Sequence, residues 1–315
     1  MNIQDTAARL KEHDRFLILT HRRPDGDTVG CASALCLALR QLGKTAYVFF
    51  NEDAHSLFDP YFEGVLAPRD FAWQYLITVD VAALNMLTPQ GEKVAGKVDL
   101  CIDHHGTNEL FAAETCVDPQ CAACGELLYG ILLEMGVTIT KRIAMLLYMA
   151  IATDTGCFVY SNTSPQSHRI AAALMETGFD HQWVNKRHFR TKSCKRLQLE
   201  SWIVRDMDLL DNGKLVFASI TLEMMAVLQA TEEDVEDIAA FIGQLEGVET
   251  AVTLRELKPR ECKLSLRTGK NLNAAAVCTR LGGGGHPAAA GCTIYGTVAE
   301  AKAYMLAAIR QVEHG

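Results

Sequence analysis

Side chains able to grip a cation or move a proton fall in four short segments of the first half of the chain. They are His21-Arg22-Arg23-Pro24-Asp25-Gly26-Asp27, Asp80 after Val79, Asp103-His104-His105, and Asp154 within Ala152-Thr153-Asp154-Thr155-Gly156. Brought close together, Asp25, Asp27, Asp80 and Asp154 would each raise the pKa of the others unless cations lay among them. These four carboxylates with two neutral imidazoles balance two divalent ions in charge. An oxygen-rich donor set with some histidine suits Mn2+, with Mg2+, Co2+ or Fe2+ as substitutes. Two such ions about 3.5–4 Å apart can activate a water and stabilise the oxygens of an in-line displacement at phosphorus. Taken singly, each aspartate reads as a helix cap or a strand-end turn residue. The metal reading comes from the set in its order.

The first three segments each follow an apolar run, Phe16-Leu17-Ile18-Leu19, Leu76-Ile77-Thr78-Val79 and Leu100-Cys101-Ile102, and Tyr47-Val48-Phe49-Phe50 reads as a further strand. Helical spacing from about residue 27 to 42 puts Ala32, Leu35, Cys36 and Leu39 on one face. More helices are expected over Cys124–Met135, Lys141–Thr153 and Pro165–Glu176, the last with Pro in its first turn and Gly178 at its stop. Strands alternating with helices predict an α/β fold whose N-terminal domain has a mainly parallel sheet flanked by helices. The carboxyl ends of such strands share one edge, where ligands bind, so residues far apart in sequence converge there.

A length of 315 residues is about twice that of one domain. The expected division is 1–184, a helical linker over 185–205, and 206–315. The linker is basic, with Lys186, Arg187, Arg190, Lys192, Lys195 and Arg196 and no acidic residue from His181 to Leu199. It reads equally as a solvated helix face or as a contact for an oligonucleotide backbone. The tail is expected to be a smaller α/β domain with a mixed sheet. It has a hairpin at Asp211-Asn212-Gly213, an acidic helix start over Glu232–Asp237, strands over Thr250–Leu257 and Cys262–Arg267, and a final helix from Val298 to about Val312. Gly282–Gly285 predicts a loop, because four glycines weaken any regular element. Their amides can approach a phosphate closely, with His286 adding a donor.

Thirty Lys and Arg against 38 Asp and Glu leave a net charge of −8, which disfavours stable binding of duplex nucleic acid. The longest apolar stretch, Ile143 to Ala152, is too short to span a membrane, and the first residues lack the pattern of a signal peptide. Eleven scattered cysteines suit buried free thiols in a reducing cytoplasm. Cys121-Ala122-Ala123-Cys124 has the C-x-x-C form with no second pair to complete a zinc site, and reads as helix packing.

The four segments resemble the motifs of the DHH phosphoesterases. Gly282-Gly-Gly-Gly-His286-Pro-Ala-Ala-Ala-Gly291 is similar to the glycine–histidine signature of the DHH-associated C-terminal domain, and together they span nearly the whole chain. The chain's length is similar to that of the stand-alone nanoRNase/pAp phosphatase branch, cytoplasmic enzymes that trim very short oligonucleotides and dephosphorylate 3′-phosphoadenosine 5′-phosphate. The resemblance implies that His21, Asp25 and Asp80 hold one Mn2+, that Asp27, Asp80, His104 and Asp154 hold the other, and that Asp80 bridges them. It implies that Asp27 and Asp80 orient the attacking water, that His105 faces the scissile phosphate as donor or leaving-group acid, and that Asp103 orients a histidine. It assigns Gly283, Gly284, Gly285, His286 and Arg267 to a remote phosphate or base, the guanidinium gripping a terminal phosphate bidentately. Short oligonucleotides and mononucleotide phosphates are the implied substrates, with no membrane partner; a homodimer is compatible with the sequence. Alternatives from the same metal set are a phosphodiesterase for linear or cyclic dinucleotide messengers, or a non-catalytic nucleotide-binding regulator. One departure stands out: many relatives carry a Ser/Thr pair where this chain has Ala123-Cys124, which changes helix capping and is expected to leave the metals intact.

Overall fold

The computed structural model describes residues 1–235 and 238–313, and the chain forms two compact units, Met1–Thr191 and Lys192–Gly315. The first runs α1 (Ile3–Glu12), β1 (Phe16–Leu19), α2 (Gly26–Gln41), β2 (Ala46–Val48), α3 (Asp59–Phe62), β3 (Tyr75–Val79), α4 (Pro89–Ala95), β4 (Leu100–Asp103) and β5 (Glu114–Val117). Helices α5 (Cys124–Glu134), α6 (Lys141–Asp154), α7 (Pro165–Glu176) and α8 (His181–Asn185) follow, then a π-helical turn over Lys186–Arg190.

The strands pair in parallel in the order β2-β1-β3-β4-β5. Both sheet faces are covered, which is why β1 is an unbroken apolar run. Phe16 and Ile18 pack into the core with α2, α5 and α6, whereas Leu17 and Leu19 join Leu76, Val81 and Leu87 on the other face. The chain leaves β1 toward one edge and returns to its other side at β3. That reversal opens a crevice beyond the carboxyl ends of β1 and β3, the usual ligand position in an open sheet.

Two differences from the sequence expectation lie in this unit. The second strand ends at Val48, and Phe50 is exposed beyond it. An N-terminal helix, capped by Asn2 and burying Thr6, Ala7 and Leu10, had not been expected, because its apolar stripe is short.

Helix α2 meets α6 through glycines one turn apart. A Cβ on Gly30 would overlap the Leu146 carbonyl oxygen, and one on Gly26 would overlap the Thr153 side chain. The helices therefore touch backbone to backbone, and they carry Asp27 and Asp154 respectively.

In the second unit, α9 (Cys194–Asp206), β6 (Asp208–Leu210), β7 (Leu215–Ile220), α10 (Leu222–Leu228), β8 (Thr250–Lys258), β9 (Glu261–Thr268), α11 (Ala274–Thr279), β10 (Gly284–His286), β11 (Ala289–Ile294) and α12 (Val298–Glu313) build a mixed sheet in the order β10-β11-β9-β8-β7-β6. Helices α11 and α12 cover one face; Leu199 and Ile203 of α9 pack with Val216, Ala218 and Ile220 on the other. Lys192 and Arg196, two of the basic residues, both pair with Glu200 at 2.8 Å. Within the expected acidic helix start, Glu233–Val235 forms a single 3-10 turn, and Glu236 and Asp237 lie outside the described residues.

The glycine run is a correction. Gly284–His286 is a strand, antiparallel to β11, not a loop. Backbone entropy is outweighed by fit: a Cβ on Gly283 would strike Gly291 and Cys292, and Gly285 has φ 144° with Ala289 and Ala290 crowding its missing Cβ.

Gly30→Ala is expected to push α2 from α6 and to lower the unfolding free energy by about 1–3 kcal/mol, read by urea denaturation. A pH effect follows from His188, whose Nε2 shares a hydrogen bond of 2.7 Å with the Tyr61 hydroxyl. Burial, helped by Arg187, lowers its pKa from 6.5 to about 4. The unfolded chain therefore binds more protons between those values, and the contribution is complete above pH 6.5 and lost as pH falls toward 4. His188→Gln should flatten the pH dependence of stability in that window by up to about 1.4 kcal/mol per pH unit.

Candidate metal centre

The sequence-predicted residues of the first unit meet in the crevice beyond β1, β3 and β4. Asp25 is the N-cap of α2, its Oδ1 accepting from the Asp27 and Thr28 amides at 3.0 and 3.2 Å. Thr28 in turn donates to the Val79 carbonyl at 2.9 Å, tying the start of α2 to the end of β3. His21, just after β1, donates from Nδ1 to the Arg22 carbonyl at 2.9 Å. Its Nε2 is left 3.7 Å from Asp25 and 3.6 Å from Asp80.

Asp80 stands at the centre, 2% exposed, with φ 58°. This left-handed backbone favours glycine but tolerates Asp and Asn. His104 donates from Nδ1 to the Cys121 carbonyl at 3.2 Å, aiming Nε2 at Asp154 (3.2 Å), Asp80 (3.5 Å) and Asp27 (3.8 Å). His105 Nδ1 donates to Asp103 Oδ1 at 2.7 Å and lies 3.6 Å from Asp80.

Three overlapping sets result, in each of which the candidate ligand atoms lie within 4.8 Å of one another: His21/Asp25/Asp80, Asp27/His104/Asp154 and Asp80/His104/His105. The first two follow the groupings implied by the motifs, with Asp80 next to both. The cluster behaves electrostatically as a place that wants positive charge. Burial alone would depress the His21 imidazole, yet Asp25 and Asp80 outweigh it and hold its pKa at about 10. Burial is likewise overcome at His104, where Asp154 and Asp80 give about 9. Asp27 is pushed well above the usual carboxylate range by burial and by Asp80, Asp154 and Asp25. Asp80 is pushed up by burial, and by Asp25 and Asp154 against the pull of His21. Among the described residues, buried Asp80 Oδ1 and His104 Nε2 meet no well-aligned hydrogen-bond partner, although carboxylates and imidazoles surround both, as expected of atoms that ligate a cation.

Asp27 has a second attachment. Ala123, the N-cap of α5, offers no side-chain cap. Asp27 supplies it instead: Oδ2 accepts from the Cys124 amide at 2.6 Å and Oδ1 from the Gly125 amide at 2.9 Å. The missing local cap is thus supplied by a carboxylate from 97 residues earlier in the chain.

Asp103 is fully buried and accepts from Asn108 Nδ2 at 2.7 Å as well as from His105, so it holds the partly exposed His105 ring by its Nδ1. Burial opposes ionisation of Asp103, but those two partners keep its carboxyl below the usual range. His105 is shifted upward chiefly by Asp103. Sequence reasoning missed Asn108, together with Asn51, which donates to the His21 carbonyl at 2.8 Å, and Asn162, which links the Asp154 and Ala122 carbonyls. Each is an ordinary polar loop residue, and no spacing marks it.

The second-unit candidates lie on one sheet. His286 pairs with Ala289, and Ala289 with Arg267, so the three share a face, with Arg267 and His286 about 10 Å apart across two strand spacings. Gly284 and Gly291 add no side chain to that face, and Ser265 stands on it beside Arg267.

Residues 15–151 match the DHH family, N-terminal domain, and residues 214–314 match the DHHA1 domain. The bifunctional oligoribonuclease and PAP phosphatase NrnA of Thermus thermophilus is 33% identical over 282 residues, 89% of this chain and 84% of the relative. The protein of the same name from Bacillus subtilis is 24% identical, with 90% of each chain covered. A crystal structure of an exopolyphosphatase-related protein from Bacteroides fragilis superposes with a TM-score of 0.88 at 23% identity, covering 99% of this chain and 96% of the other, a likeness of fold.

The double attachment of Asp27 separates it from Asp80. In chelator-treated protein, Asp27→Ala should lower the unfolding free energy by about 1–3 kcal/mol, because helix amides lose their acceptors. Asp80→Asn removes crowded charge, keeps the left-handed backbone, and should not destabilise. Paired urea titrations measure the difference.

Proposed function

The chain belongs to the DHH family of phosphoesterases, and from that premise we propose that it hydrolyses very short oligoribonucleotides to mononucleotides and 3′-phosphoadenosine 5′-phosphate to AMP. The observation that carries the reading is the convergence of His21, Asp25, Asp27, Asp80, His104 and Asp154 around orphaned Asp80 Oδ1 and His104 Nε2. The donor chemistry fits divalent ions, manganese by its mix of carboxylate and imidazole, with magnesium or cobalt as substitutes. His21, Asp25 and Asp80 would hold one, and Asp27, Asp80, His104 and Asp154 the other. When bound, such a pair supplies positive charge to the phosphoryl oxygens and makes water a better nucleophile at neutral pH.

The protein's own groups complete the chemistry. Asp27 and Asp80, immobilised by the α5 amides and by the β3 terminus, set the direction from which water approaches phosphorus. His105, its Nδ1 committed to Asp103, offers Nε2 as a donor to the scissile phosphate or the departing oxygen. In the second unit, Arg267 and His286 flank an open face of Gly284, Gly291 and Ala289, suited to a terminal phosphate gripped by a guanidinium. The names of the similar proteins from Thermus thermophilus and Bacillus subtilis support this substrate pair. No helix among the described residues is long and apolar enough to cross a membrane, and the many buried thiols suit a reducing cytoplasm.

Release of AMP from pApA and from 3′-phosphoadenosine 5′-phosphate is the test, with manganese added to metal-stripped protein. Asp80→Asn and Asp154→Ala should each lower turnover by about 10²–10³-fold or more. Calorimetric titration should show two manganese ions per wild-type chain and fewer in either variant. Unchanged turnover in a folded variant would remove the proposal.

A further inference from the structure

Immediately after Asp154 the backbone does something costly. Gly156, Cys157 and Phe158 have φ of 56°, 57° and 67°, three successive left-handed residues of which two carry side chains. Each non-glycine residue held there costs about 1–3 kcal/mol and persists only where its surroundings enforce it. The enforcement is visible. The Val159 and Tyr160 amides both donate to the Thr155 carbonyl, at 2.9 and 3.0 Å, and the Phe158 amide donates to Thr155 Oγ1 at 3.1 Å. The Phe158 ring is stacked on His168 at 5.1 Å and packs on Tyr148 at 5.9 Å. Asn162 then fastens the turn to the Asp154 carbonyl at 3.1 Å.

The product of this strain is an aromatic ring held in solvent. Tyr160 is 59% exposed, and Val159 beside it 79%. One side of the Tyr160 ring rests on Gly156, where a Cβ would collide with it, so the ring cannot fold inward. A scattered apolar surface residue needs no explanation. A ring locked against Gly156 by a strained turn that begins two residues after Asp154 of the carboxylate cluster does.

We propose that Tyr160 is the stacking platform for the nucleobase next to the phosphate held at the cluster, a nucleobase subsite contributed by the first unit. The inference rests on the reading of the chain as an oligonucleotide and nucleotide phosphoesterase, and adds to it the group that selects nucleotides over other phosphate esters. Any base offers a π-face, so the platform accepts every sequence while rejecting esters that lack a ring.

The test compares kcat/KM for pApA with that for an analogue carrying the same phosphates on base-free riboses. Wild type should prefer pApA. Tyr160→Ala should reduce that preference by about tenfold to a hundredfold, chiefly through KM, and Tyr160→Phe should restore it. Equal losses on both substrates would mean that Tyr160 merely props Asp154, and an intact preference would mean that the base lies elsewhere; either result overturns the inference alone. Failure of wild type to hydrolyse pApA, with manganese present, would instead overturn the proposed function and the inference with it.

Discussion

Everything in the first unit is arranged around the mutual repulsion of buried carboxylates. Asp27 and Asp80 are almost wholly withdrawn from water, with Asp25 and Asp154 at their sides, an arrangement that no apolar core would stabilise alone. The fold meets it in two ways. It directs amide N–H groups at the oxygens that must stay anionic, from the start of α2 to Asp25 and from the start of α5 to Asp27. It also turns imidazole Nε2 atoms inward by tethering each Nδ1 to a carbonyl. The remaining imbalance is what a pair of divalent ions would neutralise, so the polar centre and the parallel sheet that frames it form one problem and one solution.

Much of this was legible from residue types. Runs such as Phe16–Leu19 announce strands buried on both faces, and polar residues at the ends of three of them must then share an edge. The histidines and aspartates were found because few other side chains hold metal. What stayed hidden depends on tertiary contact. The cap that α5 lacks locally comes from Asp27, and nothing around Ala123 says so. Asn108 and Asn162 became visible only once the atoms they bridge had come together.

The glycine run shows the same limit in reverse. Gly282–Gly285 reads as loop because propensity treats each residue alone, yet close approach to β11 makes small size the deciding property, and Gly284–His286 joins the sheet. The basic stretch over 186–196 is similar: Lys192 and Arg196 look like free charge until Glu200, just beyond it, takes both. In each case a local average lost to one specific neighbour.

The left-handed backbone at Asp80 also narrows what that position can hold. Glycine, asparagine and aspartate are the types that rest easily there, and among them only aspartate carries charge. A longer or bulkier side chain there would add a backbone cost of about 1–3 kcal/mol before any effect of its charge. At the rim, partly exposed Asp154 and His21 carry no such backbone restriction, so the charge of the cluster is more freely varied there than at its centre.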